Sequence, residues 1–246
     1  MTLYPQILGV YSMTKSTDVG HGTTQGHHTQ TTYWYVRRLD DDTYEVQPLN
    51  ARHVPSGLRN ALSKGDFITV YAPEPRFYEQ RTIPALKSLR DKIQKGEEHY
   101  AQGKLDDAER EFLKALMIDE LNVEANMGIG SVYADKGEFQ KVSKVLDILL
   151  NQDASFVEEQ RVRFNRFGMS LRKQGMHEEA LRYYSKALEY NDKDENLHFN
   201  IARAYFDTGR KDECITHIKA ALTIAPDMEP AAKFLRYVEK RGITNK

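Results

Sequence analysis

The sequence predicts a mainly α protein in which helical hairpins stack in a row, with a small α+β unit at the N-terminal end. The first observation is a change of composition, since six of the eight prolines and the only tryptophan lie before residue 85. The second is a regular spacing of glycines, because Gly103, Gly137, Gly175 and Gly209 are separated by 34, 38 and 34 residues. A period of this length is typical of stacked structural repeats.

The composition limits the classes of partner. Lys and Arg number 35 against 36 Asp and Glu, so no net charge draws the chain to nucleic acid or to an anionic membrane. Cys214 is the one cysteine, which excludes an intramolecular disulfide and favours a reducing compartment. No run approaches the roughly 20 apolar residues of a membrane span, and the first residues lack the features of a secretion signal. We therefore expect a cytoplasmic protein without a nucleic-acid or membrane partner.

Residues 1–82 are expected to form the small α+β unit. Residues 31–48, TTYWYVRRLDDDTYEVQP, place β-branched and aromatic residues on both sides of three aspartates, which predicts a β-hairpin. The run SGLRNALSKG at 56–65 is predicted as a short helix, and DFITVYAP at 66–73 as a further strand. Trp34 is the expected anchor of the core, and a proline-rich segment after the strand marks the boundary. No motif in this unit identifies a family.

From residue 83 onward the spacing of apolar residues becomes helical, with steps of three and four. Each glycine of the period lies between two helical patterns, where a left-handed turn residue is needed and glycine adopts it at little cost. Small residues precede these glycines by seven positions: Gly96, Gly130, Gly168 and Ala202. Small or apolar residues follow them by five positions: Ala108, Val142, Ala180 and Cys214. Small side chains let the two helices of a hairpin approach, while large ones fill the space between hairpins.

This order of small, large and turn residues resembles the tetratricopeptide repeat, a helix-turn-helix unit of about 34 residues. The resemblance covers four units, at 89–122, 123–156, 161–194 and 195–228, and implies an α-α superhelical solenoid over residues 83–246. An amphipathic stretch at about 229–241 is the expected capping helix. Four extra residues precede the third unit, and Ser155 and Glu158 have the spacing of a capping box, so we expect an elongated first helix there.

The resemblance implies a function in recognition. Proteins of this family hold extended peptides or partner helices on a concave side, which the first helix of each unit lines. We therefore expect a non-enzymatic adaptor, without catalytic residues, metal sites or cofactors, that binds a segment of another protein. The candidate groove residues of the third and fourth units are Asn165, Arg166, Met169, Arg172, Lys173, Phe199, Asn200, Arg203 and Phe206. The second unit is expected to add Met127, Ser131 and Asp135.

The charges of the third unit suggest what the groove would bind. Asn200 and Arg166 occupy equivalent positions in successive units, and the family often uses an asparagine there to bind a peptide backbone. Between Arg161 and Lys173 the chain has five cationic residues and no acidic one. A positive groove would favour an acidic segment of the partner, extended or helical. An ordinary solvated helix face explains the same charges, and self-association through the repeats is a further interpretation.

The alternative hypothesis places a metal-binding or enzymatic activity in the N-terminal unit, with the repeats as a targeting module. His21, His27 and His28 are close in sequence, His53 follows, and imidazole is a common ligand of zinc and nickel. No carboxylate or thiolate is spaced with them, so a flexible polar loop is the favoured interpretation. Asp192, Asp194 and Asn196 have the spacing of the start of a calcium loop, but its glycine and its closing glutamate are missing, so we expect a helix cap.

Overall fold

The computed structural model describes residues 4–19 and 26–240, which form two compact units. The described residues up to Gln94, together with Lys114–Asn122, form the unit that contains the β-sheet, called the sheet unit below. Lys95–Leu113 and the described residues from Val123 onward form the other, called the repeat unit. The division into residues 1–82 and 83–246 drawn from the sequence stays a prediction.

The sheet unit is built on antiparallel strands in the order β4-β3-β2-β1-β5. These strands are β1 (Gln6–Val19), β2 (Gly26–Arg38), β3 (Thr43–Pro48), β4 (Asn60–Ser63) and β5 (Ala72–Pro73). The predicted hairpin is confirmed, because β2 pairs with β3 around the three aspartates. The carboxylate of Asp40 holds this turn by accepting hydrogen bonds from the backbone N–H groups of Asp42 and Thr43, at 2.8 and 2.7 Å.

The segment after the hairpin folds differently from the prediction. Asn60–Ser63 is a strand instead of a helix, and Lys64–Val70 is a helix, α1, instead of a strand. The physical reason is a helix cap. Ser63 Oγ accepts a hydrogen bond from the backbone N–H of Asp66 and donates one to its carboxylate at 2.6 Å. This cap starts a helix in residues whose β propensity suggested a strand.

One core cluster of the sheet unit contains Val36 and Tyr44, which are buried. Phe67 of α1 is buried against them and stacks on Tyr44, with ring centroids 4.5 Å apart. Trp34 is half-buried and packs against this core, and its indole N–H donates to Thr32 Oγ1 at 2.9 Å. Trp34 therefore closes the edge of the core and does not form its centre.

The helices of the chain follow the predicted period. A short helix α2 (Pro75–Phe77) and a π-helical turn at Tyr78–Thr82 lead into α3 (Ile83–Ala101). The next helices are α4 (Leu105–Leu116), α5 (Val123–Asp135), α6 (Phe139–Leu150), α7 (Arg161–Lys173), α8 (His177–Leu188), α9 (Glu195–Asp207), α10 (Lys211–Ile224) and α11 (Glu229–Lys240). The four turn glycines have φ between +72° and +77°, so the predicted left-handed turns are confirmed. No helix in the described ranges is both long and apolar enough to cross a lipid bilayer.

The elongated helix predicted for the third hairpin is wrong. Asp153–Phe156 and Glu158–Gln160 are separate 3₁₀ turns, and α7 begins only at Arg161. Ser155 is buried, and its hydroxyl has no hydrogen-bond partner among the described residues, so it forms no capping box. Phe156 packs against Phe164, with ring centroids 5.8 Å apart, and this tertiary contact holds the segment in a non-helical course.

The small residues of the repeat act as predicted. A Cβ at Gly168 of α7 would lie 2.4 Å from the ring of Tyr184, and a Cβ at Gly96 of α3 would lie 2.7 Å from the ring of Phe112. Glycine therefore lets an aromatic ring of the second helix lie directly on the first helix. Cys214 of α10 is fully buried, as expected of a small core residue. The mainly α fold of stacked helical hairpins with a small N-terminal α+β unit is confirmed.

Candidate functional site

The candidate site lies on the first helices of the hairpins in the repeat unit. Their facing side chains are joined by hydrogen bonds, and we call the surface that they form the first-helix surface. Tyr100 at the end of α3 donates to the carboxylate of Asp135 on α5 at 2.6 Å. Asn200 on α9 donates from Nδ2 to Asn165 Oδ1 on α7 at 2.9 Å. These contacts show that α3, α5, α7 and α9 share one side of the row of hairpins.

Two side chains of α7 reach across α5 to α3. Arg163 Nε contacts the carboxylate of Glu97 on α3 at 2.8 Å, and the same guanidinium lies 3.5 Å from Glu124 on α5. Tyr100 Oη and Ser170 Oγ are 3.5 Å apart. Burial, together with the hydrogen bond to a carboxylate, raises the pKa of Tyr100 to about 12. The helix between them, α5, is therefore covered on its groove side.

The covering of α5 corrects the sequence-based expectation for the second unit. Met127 and Ser131 are each only 1% exposed, so they cannot line an open groove. Asp135 is exposed, but its carboxylate already accepts the hydrogen bond from Tyr100. Gly128 offers the physical reason, because a Cβ there would lie 2.4 Å from the ring of Phe112. A helix with such small residues packs closely against the core, so side chains of the neighbouring helices α3 and α7 can contact each other over it.

Three of the five cations of α7 are neutralised within the repeat unit. Arg161 Nε lies 2.7 Å from the carboxylate of Asp194, which also caps α9 as expected. Arg163 is paired as described above, and Arg172 Nη1 lies 2.5 Å from Asp207. These pairs reduce the positive charge that was expected on the groove.

The remaining cations of α7 are Arg166 and Lys173. Over residues 4–19 and 26–240, no carboxylate lies within salt-bridge distance of either side chain. Arg166 is half-buried and Lys173 is exposed, so the charged groups of both side chains can contact a partner protein. They are seven residues apart, which places them two helical turns apart on the same side of α7. The positive charge left on the surface is thus concentrated at two points.

Asn200 is only 7% exposed and is held by Asn165 instead of by Arg166. The hydrogen bond uses one of its two amide hydrogens, so the side chain keeps its carbonyl oxygen and a second hydrogen for another partner. Met169 lies half-buried on the same helix as Asn165. The predicted residues Asn165, Arg166, Met169 and Asn200 are therefore brought together on α7 and α9.

The two predicted aromatic anchors are partly used by the fold. Phe199 packs edge-on against Phe234 of α11, with ring centroids 5.9 Å apart. Phe206 packs against Phe234 and Tyr237, at 5.3 and 5.8 Å. Both phenylalanines remain half-buried, so α11 covers part of each ring and leaves part exposed. Both rings therefore serve first to pack α11 against α9.

Arg203 completes the predicted set. Its guanidinium carbon lies 5.9 Å from the centroid of the Phe199 ring, close enough for a cation–π interaction. Burial lowers the pKa of Arg203, and the neighbouring charge of Arg172 lowers it further. Asp207 has the opposite effect, but it is already bound to Arg172. A cation that is held beside another cation in a half-buried place favours the approach of a carboxylate.

Metal-binding groups are not assembled in the described part of the chain. No group of three or more His, Cys, Asp or Glu side chains there is close enough to hold a metal ion. Of the histidines in the alternative hypothesis, His21 lies outside the described residues, and His27 and His28 belong to strand β2. His53 packs edge-on against Phe77, with ring centroids 5.2 Å apart. The described geometry gives the metal hypothesis no support.

Family models for the tetratricopeptide repeat match residues 93–141 and 171–236. The two matched segments of the chain are tetratricopeptide repeats. The match confirms the family that the spacing of small residues indicated, and it leaves the N-terminal unit uncovered. Tetratricopeptide repeats are interaction modules, so the chain carries a scaffold for protein–protein interaction.

Individual proteins resemble the repeats at low identity. The anaphase-promoting complex subunit CDC16 of Saccharomyces cerevisiae is 25% identical over 181 residues, or 72% of this chain. This chain spans only 21% of the length of that relative. The solved structure of PilF from Pseudomonas aeruginosa shares the fold, with a TM-score of 0.52 at 17% identity over 64% of this chain and 70% of its own. MamA from Desulfovibrio magneticus RS-1 has a TM-score of 0.49 at 17% identity, over 63% and 85% of the two chains.

The contacts over α5 were missed from the sequence. Glu97, Tyr100 and Arg163 fall at ordinary polar positions of their helices, and only their partners on other hairpins give them a role. The available signal is the pair Gly128 and Gly130, two positions of α5 without a side chain. Such positions indicate that the side chains of neighbouring helices can contact each other over α5.

Proposed function

We propose that this protein is an adaptor that binds an acidic segment of a partner protein on the surface formed by α7 and α9. The observation that carries the proposal is the charge left on α7. Arg161, Arg163 and Arg172 are bound to carboxylates of the repeat unit, whereas Arg166 and Lys173 have no such carboxylate among the described residues. Cationic heads that the fold does not neutralise are available to the carboxylates of a partner.

The spacing of the two cations suggests how the acidic groups of the partner are arranged. Seven residues of an α-helix rise by about 10 Å, so the backbone positions of Arg166 and Lys173 are separated by that distance along the helix axis. Three residues of a polyproline II helix complete one turn and rise by about 9 Å, so residues i and i+3 lie on the same side. An extended segment of this kind with acidic residues at positions i and i+3 would match this spacing, as would a helix with acidic residues at i and i+7.

Polar and apolar groups beside the two cations would add specificity. The amide groups of Asn165 and Asn200 are oriented by their mutual hydrogen bond and keep further donors and acceptors. Half-buried Met169 offers an adaptable apolar contact between Arg166 and Lys173. The tetratricopeptide repeats, and the likeness to a subunit of a multiprotein complex, support a role in assembly with another protein.

The test is affinity capture from native lysate with the full chain and with the double variant Arg166→Ala/Lys173→Ala. Lys144→Ala/Lys219→Ala is the matched control, because it removes two exposed lysines from the second helices α6 and α10. We expect the control to capture the same proteins as the parent and the double variant to lose them, with unchanged circular dichroism. Capture of the same proteins by the double variant would remove the proposal.

A further inference from the structure

An open pocket of about 400 Å³ lies where the second and third hairpins turn. One wall is the start of α6, with Phe139 and Gln140, and the other is the turn into α8, with Gln174 and Met176. Glu179 of α8 also lines the pocket. None of these residues belongs to the candidate set on α7 and α9, so the pocket is a separate site.

Phe139 gives the pocket an apolar wall that is not covered by the fold. It is 46% exposed, although it is a large aromatic residue. The equivalent positions two residues after the other turn glycines hold Leu105, His177 and Lys211. The exposed phenyl ring is therefore particular to this hairpin, and an occupant that covers its face would remove apolar surface from water.

Glu179 gives the same pocket an unneutralised charge. Across the described residues, no cationic side chain lies within salt-bridge distance of its carboxylate. Lys141, which follows the pocket residue Gln140, lies 2.5 Å from Glu138, and Arg210 is paired with Glu178, the residue before Glu179. The carboxamides of Gln140 and Gln174 add two carbonyl oxygens that can accept hydrogen bonds.

We propose that this pocket binds the guanidinium group of an arginine side chain from a partner protein. A guanidinium is a flat cation that carries only hydrogen-bond donors, and it stacks on aromatic rings. The pocket supplies the complementary groups: a carboxylate, two amide oxygens and a half-exposed phenyl ring. A purely apolar occupant fits less well, because it would cover the carboxylate of Glu179 without neutralising it.

The test is a titration of the ¹⁵N-labelled full chain, followed by NMR, with Nα-acetyl-arginine amide and with Nα-acetyl-citrulline amide as the neutral probe of nearly the same shape. We expect the arginine probe to shift the backbone amide signals of Gln140 and Gly175 in a saturable way, and the citrulline probe to shift them much less. Glu179→Gln should weaken binding of the arginine probe roughly five- to tenfold. Phe139→Leu should weaken it roughly two- to fivefold, because the apolar volume stays while the ring is lost.

Two control proteins separate this pocket from the rest of the molecule. Glu213→Gln removes an exposed carboxylate of α10, and Arg166→Ala/Lys173→Ala alters only the proposed surface on α7. Both should bind the arginine probe like the parent. An equal response to arginine and citrulline, or parent-like binding by both Glu179→Gln and Phe139→Leu, would overturn the inference while leaving the proposed function on α7 and α9 untouched.

Discussion

At the scale of single residues, the pair His198 and His217 shows how the fold can fix a protonation state. Their Nδ1 atoms are 3.0 Å apart between α9 and α10. His198 Nε2 lies 3.1 Å from the backbone oxygen of Asp192, an acceptor only, so this nitrogen carries the proton. In the neutral ring, His198 Nδ1 then accepts from the N–H of His217. Burial, together with the nearby charge of His198, lowers the pKa of His217 to about 4.

This depressed pKa predicts a loss of stability in acid. The ordinary pKa of histidine is about 6.5, so between about pH 6.5 and pH 4 the unfolded chain takes up a proton at His217 that the native protein does not. The free energy of unfolding should therefore fall as the pH is lowered through this window, from a plateau above it. Urea unfolding of the parent and of His217→Asn at pH 7.5, 6 and 5 measures the effect. Parallel losses in the two proteins would show that His217 is not responsible.

At the scale of secondary-structure elements, Asp194 joins two helices. It is 5% exposed and caps α9 by accepting hydrogen bonds from the backbone N–H groups of Asn196 and Leu197, at 2.9 and 3.0 Å. The same carboxylate forms the ion pair with Arg161 of α7. One side chain thus ends the turn between two hairpins and neutralises a cation of the first-helix surface.

Two substitutions separate these roles of Asp194. Asp194→Asn keeps an oxygen that can accept from the helix N-terminus but removes the charge, whereas Asp194→Ala removes both. We expect Asp194→Ala to lower the free energy of unfolding by about 1 kcal/mol more than Asp194→Asn does. Urea denaturation of the two variants and the parent gives this difference. If both variants lose the same stability, the ion pair matters and the cap does not.

The elements that the sequence predicted correctly are those with local causes. The left-handed turns required glycine at four fixed positions, and the small residues of α3 and α7 revealed where helices pack closely. The failures have other causes. A side-chain cap at Ser63 reversed the assignment of helix and strand, and the burial of Phe156 prevented an early start of α7. Apolar periodicity carries no information about either contact, because one is a single hydrogen bond and the other joins aromatic rings of two separate elements.

The candidate site was predictable in part, for the same reason. The repeat register paired Asn200 with Arg166, one unit apart, whereas the hydrogen bond of Asn200 goes to the adjacent groove candidate, Asn165. It did not reveal which cations of α7 are neutralised, because Asp194 and Asp207 belong to the next hairpin and reach back to them. Charges counted along one helix therefore overstate the field on its surface. Only the ion pairs of the folded chain show that, among the described residues, Arg166 and Lys173 have no carboxylate within salt-bridge distance.

At the scale of the whole molecule, a formal net charge of −1 leaves recognition to local charge. Capture of an acidic partner by Arg166 and Lys173 should therefore depend strongly on salt. The Debye length falls from about 10 Å at 0.1 M salt to about 3 Å at 1 M, so exposed charge pairs lose most of their attraction. We expect capture to fall steeply between about 0.1 and 1 M sodium chloride. Capture that is insensitive to salt would contradict a charge-based interface and indicate an apolar one.

The covering of α5 limits how this scaffold can be redesigned. A peptide-binding side chain introduced at position 127 or 131 would be buried, because the native residues Met127 and Ser131 are each 1% exposed. The bridge from Arg163 to Glu97 would first have to be removed, and the glycines of that helix would have to be replaced to raise it. A longer peptide-binding surface designed on this chain would therefore have to extend toward the C-terminal hairpins, away from the second repeat.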